Sequence, residues 1–508
     1  MPTSAQLGEL PDGRKQGVRS ENRARSIALK FAESTPAEIR ARMYYAFRVF
    51  AAIYGHRVRD DVHDGASLIF SYGTPAPQPR SRLHTHIEIP ARYGLRMPGT
   101  ARLRPATRMR GQEKIVLFYG VCPQTGRPDW LGEIFEWLSS GAEATLAERD
   151  AVGRIPSAAK LFGAWGISPR KAHLMPVMAW LEACVRGMKE TEELPRAPSP
   201  VEGVQHFIVS SHDIDYYWTT RREALKRTIK NLAIAVVLYR DPSFFWSNAA
   251  NASRALVGKH VGEYLPALID AGRRGGFSST LFPIARREHS RDANYLIDAL
   301  APYLESARQE GFGVALHGSY RSVIENCDLA SEVSELARAT SQLPLGNRQH
   351  WLRFDRQESL FHCVQRAGLQ YDSTLGFPET PGFRSGGAFA FPPYDFANEK
   401  PFEFLEIPLV LMDGSLEAAA RAGQQKPREV MEEVLQESRR WGWGGISALW
   451  HNPLEELHVP KGVNALFWEC IRNKGDFGEA WISAEHFMAQ CIGRFHDAGL
   501  LRSVTANA

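Results

Sequence analysis

The chain has 508 residues, enough for two or three domains at ~100–200 residues each. Hydrophobic residues make up 44% and charged residues 23%, ordinary values for a globular protein that exclude a wholly disordered chain. A formal net charge of +4, spread over this length, gives no reason to expect nucleic acid as a partner.

Residues 1–25 are polar and Arg-rich and read as a mobile tail without the apolar core of a signal peptide. The longest apolar stretches, at 232–239 and 407–412, are too short to span a bilayer, so the expected location is the cytoplasm. Residues 26–195 read as a mixed α/β region of unassigned role. It carries a helix at 36–54, a strand at 84–89, an apolar strand at 114–119 and a helix at 130–139. The charged, Pro-rich run ETEELPRAPSP reads as a linker, with the boundary placed at 196–202.

From residue 203 to the end, short apolar runs alternate with helical stretches. Strands are expected at 207–211, 279–284, 314–317, 349–354, 371–375, 404–412 and 446–450, with helices at 292–310 and 358–367. This alternation predicts a parallel sheet with right-handed crossovers. Polar residues cluster at the C-terminal ends of several strands, which favours a seven-stranded (β/α) barrel over an open sheet, because a barrel brings those ends to one mouth. The long interval at 216–278 is an insertion with a helical run at 221–239 and the aromatics Phe244, Phe245 and Trp246. It reads as a capping subdomain or as a lid that stacks on sugars.

Four segments carry chemistry. Ser211-His212-Asp213-Ile214-Asp215 places two carboxylates just past a strand, one suited to a cation and one to taking a proton. His317 ends an apolar strand before Gly318 and is a candidate metal ligand. Gly346–Arg353 holds Arg348, able to fix a carboxylate bidentately, and His350, a further candidate ligand. His451, ahead of Asn452-Pro453, can protonate a leaving amine. The six cysteines have wide, irregular spacings and read as reduced thiols.

At these residues the sequence resembles the NodB-like polysaccharide deacetylase family, carbohydrate esterase family four, over about 300 residues. Its first motif, Thr-Phe-Asp-Asp-Gly, corresponds to Ser211–Asp215, with the base role falling on Asp213 and the metal role on Asp215. Its second, His-x-x-x-His, matches at His317, but Arg321 stands where the second histidine belongs, and His350 is the candidate replacement. Arg348 matches the arginine that orients the base, Asp372 corresponds to the buried acid, and Leu449-Trp450-His451 fits the last motif, Leu-x-His. The strings 129–135 and 149–156 are similar to a subgroup found with bacterial exopolysaccharide genes and carrying an extra N-terminal domain.

The resemblance implies a metal-dependent hydrolase removing N-acetyl groups from an amino sugar or polysaccharide. A divalent ion, zinc by preference, would be held by Asp215, His317 and His350. Asp213, Arg348, His451 and Asp372 would be catalytic, and Tyr320, Arg321 and Trp351 would hold the carbohydrate. A backbone N–H near Tyr320 or Trp351 would meet the oxyanion. The alternative is a non-catalytic glycan-binding protein on the same barrel, suggested by Arg321.

Overall fold

The structure is a computed structural model. It describes residues 24–60, 66–73, 85–93, 105–144, 149–155, 158–217, 264–423, 425–451, 463–473 and 480–502, with isolated positions between 229 and 253. Residues 1–23 of the expected tail and most of the expected insertion, including most of the run at 221–239 and Phe244, lie outside the described residues.

The N-terminal region is built on a parallel sheet of β1 (Ser26–Phe31), β2 (Arg57–Arg59), β3 (Leu68–Tyr72) and β4 (Thr85–Ile89), in the order β2-β1-β3-β4. The helix Ala37–Tyr54 crosses over between β1 and β2. It starts after Pro36, whose ring cannot continue a preceding helix, and stops at Gly55 with φ +74°. Its Phe47 packs on Phe70 of β3 with ring centroids 5.1 Å apart. An antiparallel ribbon follows, β5 (Ala106–Arg110) and β6 (Glu113–Leu117). The helix Trp130–Ser139 is capped by Asp129, whose Oδ1 accepts the Gly132 N–H at 2.8 Å. The helices and strands expected in this region form where the hydrophobic pattern put them.

The segment expected to be a linker is fastened to the rest of the chain. Ala197 donates to the Trp441 carbonyl at 2.9 Å and accepts from the Trp443 N–H at 3.0 Å. Leu194, Ala197 and Val201 are buried, and apolar side chains from both sides of the segment join one continuous core.

In the C-terminal region every expected strand has a counterpart, but the strands hydrogen-bond as two parallel sheets rather than one ring. The first contains β7 (Phe207–Ile214), β8 (Thr280–Pro283), β9 (Gly313–Val314), β16 (Leu409–Met412) and β17 (Gly445–Leu449), in the order β16-β17-β7-β8-β9. The second contains β10 (Leu316–Gly318), β11 (Gly346–Gln349), β12 (Tyr371–Asp372) and β15 (Leu405–Glu406), in that order. Between β12 and β15 lies an antiparallel ribbon of β13 (Tyr394–Asp395) and β14 (Lys400–Pro401). The expected runs 314–317 and 404–412 each divide between the sheets, at Ala315 and at Ile407-Pro408, so the chain itself links the sheets at both edges.

Two differences have physical causes. The expected strand at 349–354 lies earlier, because Trp351 and Leu352 adopt φ +64° and +50°, which no strand can contain. Its true residues are polar and buried, and neighbouring strands satisfy them: Asn347 donates to Asp372 at 2.7 Å and Gln349 to the Ser319 carbonyl at 2.6 Å. An additional strand, β18 (Ala480–Ile482), pairs with the first half of β7; three residues are too few to show an alternation.

The reading of six thiols is also corrected. Cys327 and Cys363 form a disulfide with their Cα atoms 5.5 Å apart, joining the loop after β10 to the helix Gln357–Arg366. Their separation of 36 residues follows no spacing rule. Among the described residues no helix is long and apolar enough to cross a membrane.

Candidate metal centre and active site

The parallel strands deliver their polar residues at one end, the C-terminal end. On β7 the side chains alternate between faces, so residues at i, i+2 and i+4 point the same way. Ser211, Asp213 and Asp215 therefore share a face, and the intervening His212 turns away. Its Nδ1 donates to the Trp450 carbonyl at 2.8 Å, and burial pushes its pKa down to about 4, so the ring is neutral. This alternation explains how two acids separated by Ile214 serve one site.

Three donors converge there. Asp215 Oδ1 lies 3.3 Å from His317 Nε2 and 3.4 Å from His350 Nδ1, and the two imidazole nitrogens are 3.0 Å apart. His317 is carried by β10, next to Gly318, where a Cβ would meet Gln349 Oε1 at 2.5 Å. His350 opens the turn after β11. The other nitrogen of each ring donates to a carbonyl: His317 Nδ1 to Arg348 at 2.7 Å, and His350 Nε2 to Arg291 at 2.9 Å. Those bonds fix the tautomers and aim both lone pairs at the carboxylate. Asp215 Oδ1 itself is buried and accepts no hydrogen bond.

Such a cluster fits a cation. A tetrahedral zinc ion with donors at ~2.0–2.1 Å places those donors roughly 3.3–3.4 Å from one another. The spacings found, 3.3, 3.4 and 3.0 Å, are close to this, and the His₂Asp donor set is suitable. Burial opposes ionisation of Asp215, yet His350, His317 and His451 hold its carboxyl well below the usual range. Burial likewise disfavours the His317 imidazolium, but Asp213 and Asp215 outweigh it and raise the pKa. Positive charge is favoured at this point.

Asp213 and His451 flank the cluster. Asp213 Oδ1 accepts from Arg348 Nη1 at 2.8 Å, while its Oδ2 faces His317 Nε2 at 3.5 Å. Arg348 is 1% exposed. It also donates to Ser211 Oγ at 2.9 Å, to the Ser373 carbonyl at 3.0 Å and to Ser373 Oγ at 3.1 Å. On the other side His451 Nε2 lies 3.8 Å from Asp215 Oδ2. Its Nδ1 donates to Asp413 Oδ1 at 2.7 Å, and its backbone N–H to Asp413 Oδ2 at 2.9 Å. Burial disfavours the imidazolium, but Asp413 dominates and pushes the pKa up to about 10.

The rim is aromatic and basic. Trp351 is 45% exposed, and its ring meets Tyr320 edge-on at 6.3 Å. The N-terminal region reaches this rim: Arg154 donates to the Trp351 carbonyl at 2.7 Å, and Arg353 to the Val152 carbonyl at 2.6 Å. The stretch 149–156 singled out in the sequence thus contacts the turn that presents His350.

One of the expected site residues sits elsewhere. Asp372 takes part in a different buried network, accepting from Asn347 Nδ2 at 2.7 Å and Thr374 Oγ1 at 3.0 Å beside Glu406. Strand alternation turns it away from Arg348, and its neighbour Ser373 contacts Arg348 instead. Arg321 is exposed next to Tyr320 and pairs with Glu325 at 3.0 Å, so the metal cluster is built without it. The Tyr320 N–H is committed to Asp292 Oδ1 at 2.8 Å, so it is not the donor for an oxyanion.

Three contributors escaped the sequence reading. Asp413 orients His451, and a carboxylate directly after the apolar strand β16 was its signal. Ser373 supports Arg348, and Arg291 acts through its carbonyl; neither shows a signal of its own.

No protein-family model and no curated protein match the chain. Among solved structures, a family 4 carbohydrate esterase from Streptomyces lividans in complex with acetate aligns with 12% identity and a TM-score of 0.24, over 42% of this chain and 84% of its own. A polysaccharide deacetylase from Bacillus cereus aligns with 10% identity and a TM-score of 0.27, over 44% and 88%. A peptidoglycan N-acetylglucosamine deacetylase, in complex with 4-naphthalen-1-yl-N-oxidanyl-benzamide, aligns with 8% identity and a TM-score of 0.27, over 56% and 92%. Scores this low mark a distant likeness.

Proposed function

We propose that the protein is a metal-dependent hydrolase that removes N-acetyl groups from an amino sugar or glycan polymer. One observation carries this reading: the donors of Asp215, His317 and His350 converge between a carboxylate held by an arginine and an imidazole held by a carboxylate. In this reading the two parallel sheets are halves of the seven-stranded (β/α) barrel expected from the sequence.

A divalent ion held by Asp215, His317 and His350, zinc by preference, would supply Lewis acidity toward a water and the acetamide carbonyl. Asp213 takes the proton of the attacking water on Oδ2, the oxygen that faces the cluster, while Arg348 fixes Oδ1. The Trp351 N–H, in the turn with φ +64°, is the remaining expected backbone donor for the oxyanion. His451, kept protonated by Asp413, delivers a proton from Nε2 to the leaving amine. Atoms balance: water adds to the carbonyl carbon, the C–N bond breaks, and acetate and an amine are released. Trp351, 45% exposed, offers a face on which a sugar can stack, whereas Tyr320 is buried with His289 stacked on its ring and supports the rim from behind.

The Cys327–Cys363 disulfide favours an oxidising compartment over the cytoplasm, which suits a polymeric glycan as substrate.

The test combines metal analysis with acetate release. The purified protein should hold one divalent ion per chain and release acetate from N-acetylated oligosaccharides. Asp213→Asn should keep the ion and lose acetate release. Release from O-acetyl esters alone would move the reading to an esterase. Glycan binding without release from any substrate would leave a binding module and overturn the hydrolase reading.

A further inference from the structure

Arg291 follows β8 on a loop that touches the metal cluster, since its carbonyl accepts from His350 Nε2 at 2.9 Å. From that anchor its side chain runs outward into the rim and is exposed. The guanidinium carbon lies 4.8 Å from the centroid of the Tyr320 ring and 5.1 Å from that of Trp351, and Nη1 donates to the Tyr320 hydroxyl. Contact with two aromatic rings and the bond to the Tyr320 hydroxyl hold the guanidinium in place and leave other N–H groups facing outward.

The loop is preorganised around it. Asp292 Oδ2 accepts the N–H groups of Glu288 and His289 at 3.1 and 2.7 Å, and its Oδ1 accepts that of Tyr320 at 2.8 Å. The His289 ring stacks on Tyr320 at 4.6 Å.

Among the described residues no carboxylate pairs with Arg291. Around it, Arg321 and Arg353 share Glu325, Arg154 pairs with Asp150, and Arg286 pairs with Asp328 and Glu335. Asp213 belongs to Arg348, and Asp215 to the histidine cluster. Among the described residues Arg291 has no carboxylate oxygen within 4.0 Å. A rigid, exposed guanidinium beside a catalytic cluster is suited to a planar or tetrahedral oxyanion on the substrate.

We propose that Arg291 is a specificity-determining residue that binds an anionic group, carboxylate or phosphate, carried by the glycan next to the acetamido sugar. The proposal rests on the deacetylase reading for its substrate and on the rim geometry for its residue.

The experiment compares three N-acetylated substrates: a neutral N-acetylglucosamine tetramer, a hyaluronan tetramer bearing uronic carboxylates, and an N-acetylglucosamine polymer linked by phosphodiesters. The wild-type protein should prefer one acidic substrate over the neutral one by about tenfold in kcat/KM, mostly through KM. The preference should shrink as NaCl rises from about 50 to about 500 mM. In Arg291→Gln the acidic-to-neutral ratio should fall to near one, and Arg291→Lys should restore part of it. Metal content reports whether the cluster survives each substitution. Which acidic substrate wins separates carboxylate from phosphate. Equal rates on all three substrates, or a preference that persists in Arg291→Gln, would overturn the proposal.

If no substrate releases acetate, the deacetylase reading fails, but binding still tests Arg291. Calorimetric titration with the same oligosaccharides should show tighter binding of the acidic ones in wild type and loss of that bias in Arg291→Gln. Absence of the bias would overturn the proposal separately.

Discussion

His317 Nε2 and His350 Nδ1 face each other across 3.0 Å, although one lies on β10 and the other in the turn after β11. Each ring already donates from its other nitrogen to a carbonyl, so two neutral rings would meet lone pair to lone pair. Asp215 Oδ1 adds a third acceptor at 3.3 and 3.4 Å. Burying three acceptors together is unfavourable unless a cation or a proton sits among them. We therefore expect His350→Gln to weaken metal binding by at least the ~10–100-fold that loss of an outer partner costs. Arg321→Ala should keep the full metal content, because Arg321 points to Glu325. Elemental analysis after dialysis against a weak chelator decides between them. Metal loss in Arg321→Ala with retention in His350→Gln would reverse the ligand assignment.

Arg348 and Asp213 form a buried pair at 2.8 Å, with every other donor of the guanidinium that contacts the chain directed at Ser211 or Ser373. A lysine ammonium is a point charge on a flexible stem and cannot reproduce that fork. Arg348→Lys should lower kcat by roughly 10²-fold, at the lower end of general-base effects. Arg348→Ala should destabilise the fold by about 3–5 kcal/mol, because it leaves the Asp213 charge buried alone. Chemical denaturation of both variants checks the ordering. An unchanged midpoint in Arg348→Ala would mean that Asp213 finds another partner.

His451 and Asp413 set the alkaline limb of activity. The proton donor must be an imidazolium, so activity falls as pH rises through its pKa, which Asp413 raises to about 10 against the effect of burial. Removing the carboxylate charge lowers that pKa, so Asp413→Asn should move the alkaline limb to lower pH by at least about one unit. The stability contributed by this pair follows the same sign. It is whole below the unfolded histidine value of ~6.5 and is lost as pH rises toward the folded one. Profiles of kcat against pH for both proteins provide the measurement. A limb that stays in place would remove His451 from the acid role.

What could be read from the sequence follows from how each residue contributes. Asp213 and Asp215 were legible because strand alternation puts i and i+2 on one face, whatever the fold around them. The same rule puts Asp372 and Ser373 on opposite faces, but only the register of β12 against β11, with Asp372 beside Asn347, decides which of them meets Arg348. Asp413 begins the helix Asp413–Gly423, so locally it resembles an ordinary helix start. Arg291 holds His350 through its backbone carbonyl, a contribution independent of residue type and so invisible in any motif. The polar strand β11 escaped a reading based on hydrophobicity, because its burial depends on partners from other strands.

Cys327 and Cys363 lie 36 residues apart, and the segment between them contains β11 and the turn presenting His350 and Trp351. Closing a loop of that length removes disorder from the unfolded chain and should stabilise the fold by roughly 3–4 kcal/mol on the entropic account. The tether also limits how far the turn can move from β10, which carries His317. Reduction with dithiothreitol should therefore lower the denaturant midpoint of the wild-type protein and weaken its hold on the metal. Cys327→Ser should show the same lowered midpoint without reductant and no further change with it. A wild-type midpoint indifferent to reductant, together with two free thiols at these positions by mass spectrometry of alkylated protein, would mean that the pair is not joined in solution.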